Sequence, residues 1–342
     1  MYNKELKIVT IAPDDDFFSW QIHLWLESLK ELNLSKNALV LIFTPKEREH
    51  NFKTYQKLID LYPEAEFKFY KDEHNISRFL STYIPILRPY TAWRYWTDHP
   101  EMKDKAIFYC DSDILFTSKF NIDKFIDDDL NYASDTNSYI NASYFDSKIK
   151  DVLPHKLEEY KKRDILDEVS RMSGINRKIC EEHNLHSGGT QYLLKNLDAD
   201  FWKTVMNLCV PSKTYLMNIN KEFFGTENKG IQSWTIDMWL ILWELWRRGQ
   251  DLKVVPELDF CWPMDNISKI QERTIYHNAG VNNEIMNGYP CFFKGKYVQG
   301  ALPTKDPHLD VILNNEESKK HCTWWYANKI DELRKKFKEI YL

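Results

Sequence analysis

The chain has 342 residues, 43% of them hydrophobic and 28% charged, enough to bury a large core and too apolar for long-range disorder. A net charge of −5 without any long Lys/Arg block gives no electrostatic basis for tight binding of a polyanion, and the short run Lys161-Lys162-Arg163 reads as a solvated helix face. Six scattered cysteines with no C-x-x-C pair, a polar start and no apolar run of bilayer length exclude a disulfide scaffold, a zinc ribbon and a membrane anchor, and predict a soluble, cytoplasmic protein.

In chain order, Leu6 to Ala12 is a β-rich run that stops at Pro13 and three aspartates. Residues 17–32 read as a helix with Ile22, Leu26 and Leu29 on one face. The near-continuous apolar run Ala38 to Phe43 is expected of a strand buried on both sides. A polar helical stretch (50–62), a third strand (Glu66 to Tyr70), a helix (86–98) carrying Arg88, and a fourth strand (Ala106 to Cys110) follow. Strand and helix alternating in this way predict an α/β fold with a mixed, mainly parallel sheet flanked by helices. Beyond residue 120 the pattern turns irregular, with polar stretches at 121–131 and 146–184 and a strand-like run from Gly189 to Leu194. A loop is expected over 211–230, then a Trp-rich helix (234–248) and a short sheet element (Val254 to Trp262). The tail from Trp324 carries Ile330, Leu333, Phe337 and Ile340 at helical spacing, an apolar stripe that should pack on the body. The expected organisation is one domain over 1–300, with a ligand-binding half (1–120) and an acceptor half (121–300), and an extension (301–342) ending in a packing helix.

Chemistry concentrates where the fourth strand runs into Asp111-Ser112-Asp113. In extended backbone, carboxylates at i and i+2 point to one side while Ser112 points away. Ligands of open α/β sheets sit beyond the carboxyl ends of strands. Two carboxylates there suit a hard divalent ion, Mn²⁺ or Mg²⁺, which also holds phosphates. The bland alternative is a pair of turn-capping aspartates.

Other candidates carry similar alternatives. His277 follows Ile275-Tyr276 at a predicted strand end, either as a structural hydrogen bonder or as an imidazole ligand to such an ion. Asp237 opens the Trp-rich helix, where the dipole favours a carboxylate. It is either that alone, or the group that deprotonates or orients an acceptor. Glu244 has Arg248 four residues on and reads as structural. Gly188-Gly189 lacks a third glycine, so it is no dinucleotide fingerprint; its small size would let backbone approach a ligand. Arg88 could reach a nucleotide's phosphates or base, or simply face solvent. The twelve tryptophans serve as core, with some available as stacking faces.

With these residues in view, the sequence from 1 to about 280 resembles the GT-A (Rossmann-like) fold of nucleotide-diphospho-sugar transferases, whose D-x-D motif binds metal and donor nucleotide. His186-Ser-Gly-Gly-Thr-Gln-Tyr-Leu-Leu-Lys195 resembles that group's small-residue strand. Ile231-Gln-Ser-Trp-Thr-Ile-Asp-Met-Trp239 resembles its helix bearing an acidic residue, and Ile275-Tyr-His-Asn-Ala-Gly280 its late histidine segment. The run from Trp234 to Trp262 is distantly similar to hydroxyproline O-arabinosyltransferases and peptidyl-serine galactosyltransferases, whose secretory targeting is absent here. The resemblance implies a metal-dependent glycosyltransferase with a UDP-linked sugar donor, metal ligands Asp111, Asp113 and His277, donor contacts at Asp111, Arg88, Gly188 and Gly189, and Asp237 as base. Asp135, Glu222 and Glu227 are the reserve candidates for the base. The acceptor would be a hydroxyl on a protein side chain or on a hydroxymethylated DNA base. The rival is a haloacid-dehalogenase-type phosphohydrolase with Asp111 as nucleophile and Asp113 as acid/base. Against it, Leu115 stands where that group wants Thr or Val, and about a hundred residues of α/β sequence precede the motif.

Overall fold

The computed structural model describes residues 4–50 and 52–338. Strands form where the apolar runs place them: β1 (Leu6–Pro13), β2 (Ala38–Thr44), β3 (Glu66–Lys71) and β4 (Ala106–Cys110). Shorter ones follow: β5 (Ile114–Phe116), β6 (Asn131–Ala133), β7 (Tyr192–Lys195), β8 (Leu252–Val254), β9 (Phe260–Cys261) and β10 (Ile275–His277). Seven of them make one mixed sheet in the order β3-β2-β1-β4-β7-β6-β8, and a second sheet has the order β5-β10-β9. This is the α/β class read from the sequence. No helix among the described residues is long and apolar enough to cross a membrane.

The chain divides into two compact units, each assembled from three separate segments. One comprises Lys7–Phe69, Cys110–Asp123 and Glu257–Leu342. Here β1 and β2 run parallel, Ile8 beside Ala38 and Ala12 beside Ile42. Every residue of β2 is buried, as its unbroken apolar run requires; each Val, Leu or Ile so buried contributes about 1.5–3 kcal/mol. The aspartates after Pro13 act locally: the Asp15 side chain accepts from the Phe17 N–H at 2.7 Å and caps the helix Asp16–Glu31. Ile22, Leu26 and Leu29 of that helix are buried. The helix Cys322–Lys336 buries Ile330 and Leu333, and Phe337 just past its end packs on the same cluster, with Trp20, Tyr276 and Phe292. Ile340, the fourth member of the expected stripe, lies outside the described residues.

The other unit comprises Met1–Leu6, Tyr70–Tyr109 and Lys124–Pro256. In it β7 runs antiparallel to both β4 and β6, and β8 parallel to β6. The loop expected over 211–230 is in fact largely helix: Ala199–Phe224 continues straight through Pro211. An interior proline removes one backbone hydrogen bond and clashes with the preceding turn, at a cost of about 3 kcal/mol. That cost is outweighed by the buried stripe Leu216, Ile219, Phe223 and Phe224 on the following turns. The helix stops at Gly225, whose φ of 87° suits glycine. Asn220 then fastens the return of the chain, accepting from the Ile231 N–H at 2.9 Å and donating to its carbonyl at 2.7 Å. The polar stretch 146–184 folds into short helices, two of them, Ile165–Ser170 and Arg177–Glu182, capped by Asp164 and Asn176.

Candidate functional site

Asp111 and Asp113 follow β4 directly, and Ile114 begins β5. Between them the backbone is not extended: Ser112 and Asp113 form a turn. The extended geometry expected there is therefore replaced by a turn, and Ser112 is buried. The two carboxylates nonetheless converge, because the turn folds them toward a third residue from far along the chain. Antiparallel pairing of β10 on β5 sets His277 opposite Ile114, and the Asn278 N–H donates to the Asp113 carbonyl at 2.9 Å. That register carries the imidazole to the carboxylates: His277 Nε2 lies 3.8 Å from Asp111 Oδ2 and 3.5 Å from Asp113 Oδ1. One donor atom from each of Asp111, Asp113 and His277 falls within 4.8 Å of the other two.

The histidine is fixed by its surroundings. Trp262 stacks on its ring, centroids 5.6 Å apart and planes 18° from parallel, and Phe260 of β9 meets its edge at 5.3 Å. Its Nδ1 is buried with no hydrogen-bond partner among the described residues. Asp113 is buried, with Lys294 as a third neighbour: the lysine ammonium donates to its Oδ2. Burial alone would push the Asp113 carboxyl up, but the Lys294 and His277 charges outweigh it and hold that carboxyl well below the ordinary carboxylate range. Two carboxylates and an imidazole form a donor set that fits Mn²⁺ or Mg²⁺, the carboxylates suiting either and the nitrogen favouring Mn²⁺.

The remaining candidates lie in the other unit. Asp237 is buried in the first turn of the helix Ile236–Arg247, and its partner is Arg88, predicted for a different task. Arg88 Nη2 is 3.1 Å from Asp237 Oδ2, and the Tyr83 hydroxyl donates to Oδ1 at 3.0 Å while accepting from the Asp237 N–H at 2.9 Å. Gly188 and Gly189 are approached closely by the protein itself. A Cβ on Gly188 would stand 2.4 Å from the Ser134 carbonyl oxygen and 2.7 Å from Val254 Cγ2; one on Gly189 would stand 2.4 Å from the Tyr192 hydroxyl. Glu244 pairs with Arg248 at 2.6 Å as expected, and with Arg247 at 2.7 Å. Asp135, Glu222 and Glu227 are exposed, Glu222 beside Arg163 at 3.6 Å. Most tryptophans are core: Trp20, Trp25, Trp96, Trp202, Trp239 and Trp243 are fully buried, whereas Trp234 is 58% exposed. Sequence reasoning did not find Lys294 or Tyr83. Neither carries a local signal, since each reaches its carboxylate only through the tertiary fold.

No protein-family model matches the sequence, and no curated protein matches it. Among solved structures, the galactosyltransferase LgtC in complex with donor and acceptor sugar analogues is similar at 11% identity over 98% of this chain and 99% of that chain, with a TM-score of 0.44. The bifunctional glycosyltransferase WbbM in its apo form is similar at 14% identity over 97% of this chain, TM-score 0.42, and the chain spans 52% of that protein's length. Mouse xyloside xylosyltransferase 1, also apo, is similar at 10% identity over 80% of this chain and 97% of that chain, TM-score 0.36.

Proposed function

We propose that this chain is a metal-dependent glycosyltransferase that moves a sugar from a nucleoside-diphosphate donor, UDP-linked by preference, to a hydroxyl acceptor. The observation that carries the reading is the convergence of Asp111, Asp113 and His277 beyond the carboxyl end of β4. A divalent ion held there would neutralise the charge of a departing diphosphate. Lys294 stands beside the Asp113 carboxylate and is placed to turn its ammonium onto a phosphate oxygen. An imidazole joining the two carboxylates favours this reading over the phosphohydrolase, in which Asp111 must be left free to attack phosphorus.

Asp237, Arg88 and Tyr83 form the second element of the proposal. Both Asp237 oxygens already engage a guanidinium or a phenol, so the carboxylate is committed to holding those two side chains. This favours Asp237 as a group that orients Arg88 over Asp237 as the base. Trp234, exposed three residues before it, offers a flat face for an acceptor. Protein hydroxyls and hydroxymethylated DNA bases are the two acceptor classes in view, and the negative net charge favours the former.

Two measurements test the proposal. UDP with Mn²⁺ should raise the melting temperature, and mass spectrometry should detect a sugar added to one of a panel of peptide, glycan and hydroxymethylated-DNA acceptors. Phosphate release from small phosphoesters, without stabilisation by any nucleoside diphosphate, would replace the transferase with the phosphohydrolase.

A further inference from the structure

An asparagine followed by a small residue carries a reaction of its own: the backbone nitrogen of the next residue attacks the side-chain Cγ and closes a succinimide. The attack needs a nitrogen whose N–H is not engaged, a side-chain amide free to turn, and no bulk on the following Cα. Five asparagines of this chain precede Gly, Ala or Ser: Asn37, Asn137, Asn141, Asn278 and Asn287. The fold restrains four of them. The Ala38 N–H donates to the Ser35 carbonyl, the Ala142 N–H to Asn184 Oδ1 at 2.8 Å, and the Ala279 N–H to the His277 carbonyl at 2.9 Å. Asn137 is held by its side chain, whose Nδ2 donates to the Leu185 carbonyl at 3.4 Å.

The fifth meets every requirement. Asn287 and Gly288 are the two loop residues between β11 (Ile285–Met286) and β12 (Tyr289–Pro290), an antiparallel ribbon in which Ile285 pairs with Pro290 and Met286 with Tyr289. Their φ angles of 52° and 87° are the left-handed pair of a tight hairpin turn, which Asn-Gly suits. Both residues are exposed, and among the described residues no hydrogen bond engages the Asn287 side chain or the Gly288 N–H. No atom lies within 4 Å of where a Cβ on Gly288 would stand. A two-stranded ribbon is weak by itself, so its tip can flex into the attack geometry. Its base stays anchored: the Tyr289 ring stacks on His321, centroids 4.3 Å apart, and the Pro290 carbonyl accepts from Ser318 Oγ at 2.7 Å.

We propose that Asn287 is the site at which this chain modifies its own backbone, with water as the only other reactant. The Gly288 nitrogen bonds to Asn287 Cγ and loses its proton, the Cγ–Nδ2 bond breaks, and the side-chain nitrogen leaves as ammonia. Water then opens the succinimide. Opening at the Cγ carbonyl gives aspartate; opening at the main-chain carbonyl gives isoaspartate, which routes the chain through Cβ. The second product puts an extra backbone atom and a carboxylate into a two-residue turn, so the Met286–Tyr289 pairing is lost. This chemistry does not rest on the proposed transferase activity.

The test ages the full, folded chain in mildly alkaline buffer and follows every asparagine by peptide mapping and mass spectrometry. Isoaspartate is read separately, as methyl groups accepted from S-adenosylmethionine with a protein isoaspartyl methyltransferase. The Asn287 peptide should show the amide-to-acid mass change before those of Asn37, Asn137, Asn141 and Asn278. Asn287→Gln, in which ring closure would need a larger, slower-forming ring, should lose the methyl-accepting signal at unchanged melting temperature. In the chain unfolded by urea the four restrained asparagines are released, so the lead of Asn287 over Asn141 should shrink. The proposal is overturned if Asn287 stays intact while another asparagine converts, if the methyl-accepting signal persists in Asn287→Gln, or if unfolding leaves that lead unchanged.

Discussion

Three donor atoms within 4.8 Å of one another are a demanding arrangement, and each should be felt separately. Asp111→Ala or Asp113→Ala is expected to abolish Mn²⁺-dependent donor binding with the fold retained, read by calorimetric titration of UDP with and without Mn²⁺. His277→Ala should weaken Mn²⁺ by at least about tenfold, because even residues that only support a metal ligand cost that much. An unchanged Mn²⁺ titration would make His277 purely structural. Asp237→Asn separates two roles. Breaking its pair with Arg88 leaves a half-buried guanidinium short of a partner, so stability should fall by up to about 3 kcal/mol, while turnover per folded molecule falls less than about 10²-fold. A loss of 10² to 10⁴ at unchanged melting temperature, the range for general-base removal, would instead restore Asp237 as the base. The acidic pair and the histidine were legible in the sequence because each sits at the end of an apolar run. Lys294 and Tyr83 were not: they meet their carboxylates across 181 and 154 residues, and nothing near them in the chain distinguishes them from other lysines and tyrosines.

At the scale of elements, strands β1 to β4 and the helices between them were readable because hydrophobic period and capping agree there, as at Asp15. The reading failed where local preference and tertiary burial conflict. Pro211 and the polar residues after it predict a loop, yet the turns beyond bury four apolar side chains and the helix persists. Pro211 is exposed, so Pro211→Ala should restore a backbone hydrogen bond without crowding a neighbour. The expected gain is on the order of 1–3 kcal/mol in denaturant unfolding. No gain would mean that the helix is already distorted around a gap the alanine cannot close. The turn at Ser112-Asp113 was missed for a related reason: period-2 reasoning assumes the strand continues, whereas the chain leaves β4 to begin β5.

At the scale of the whole molecule, each unit is built from segments far apart in the chain. The candidate metal-ligand cluster needs residues 111 and 113 together with 277, and the sheet that aligns them needs β5, β9 and β10. A fragment ending at Pro256 keeps all three segments of one unit and loses the last segment of the other. It should bind no Mn²⁺, and residues 7–69 should be cut rapidly by protease. Protection of that stretch equal to the full chain would show that the last segment is dispensable to its fold.

Such an arrangement has a consequence for the living cell. A ribosome delivers residues in order, at about 5–20 per second. The strand carrying His277 and the helix that covers Trp20 and Tyr276 emerge long after β2. Until then β2, apolar from Ala38 to Phe43, has part of its own unit still unmade. At that rate the roughly 290 residues between β2 and the end of that helix take on the order of 15–60 s, during which a sticky, half-built unit is exposed, and the yield on overproduction should depend on holdase chaperones more than final stability would suggest.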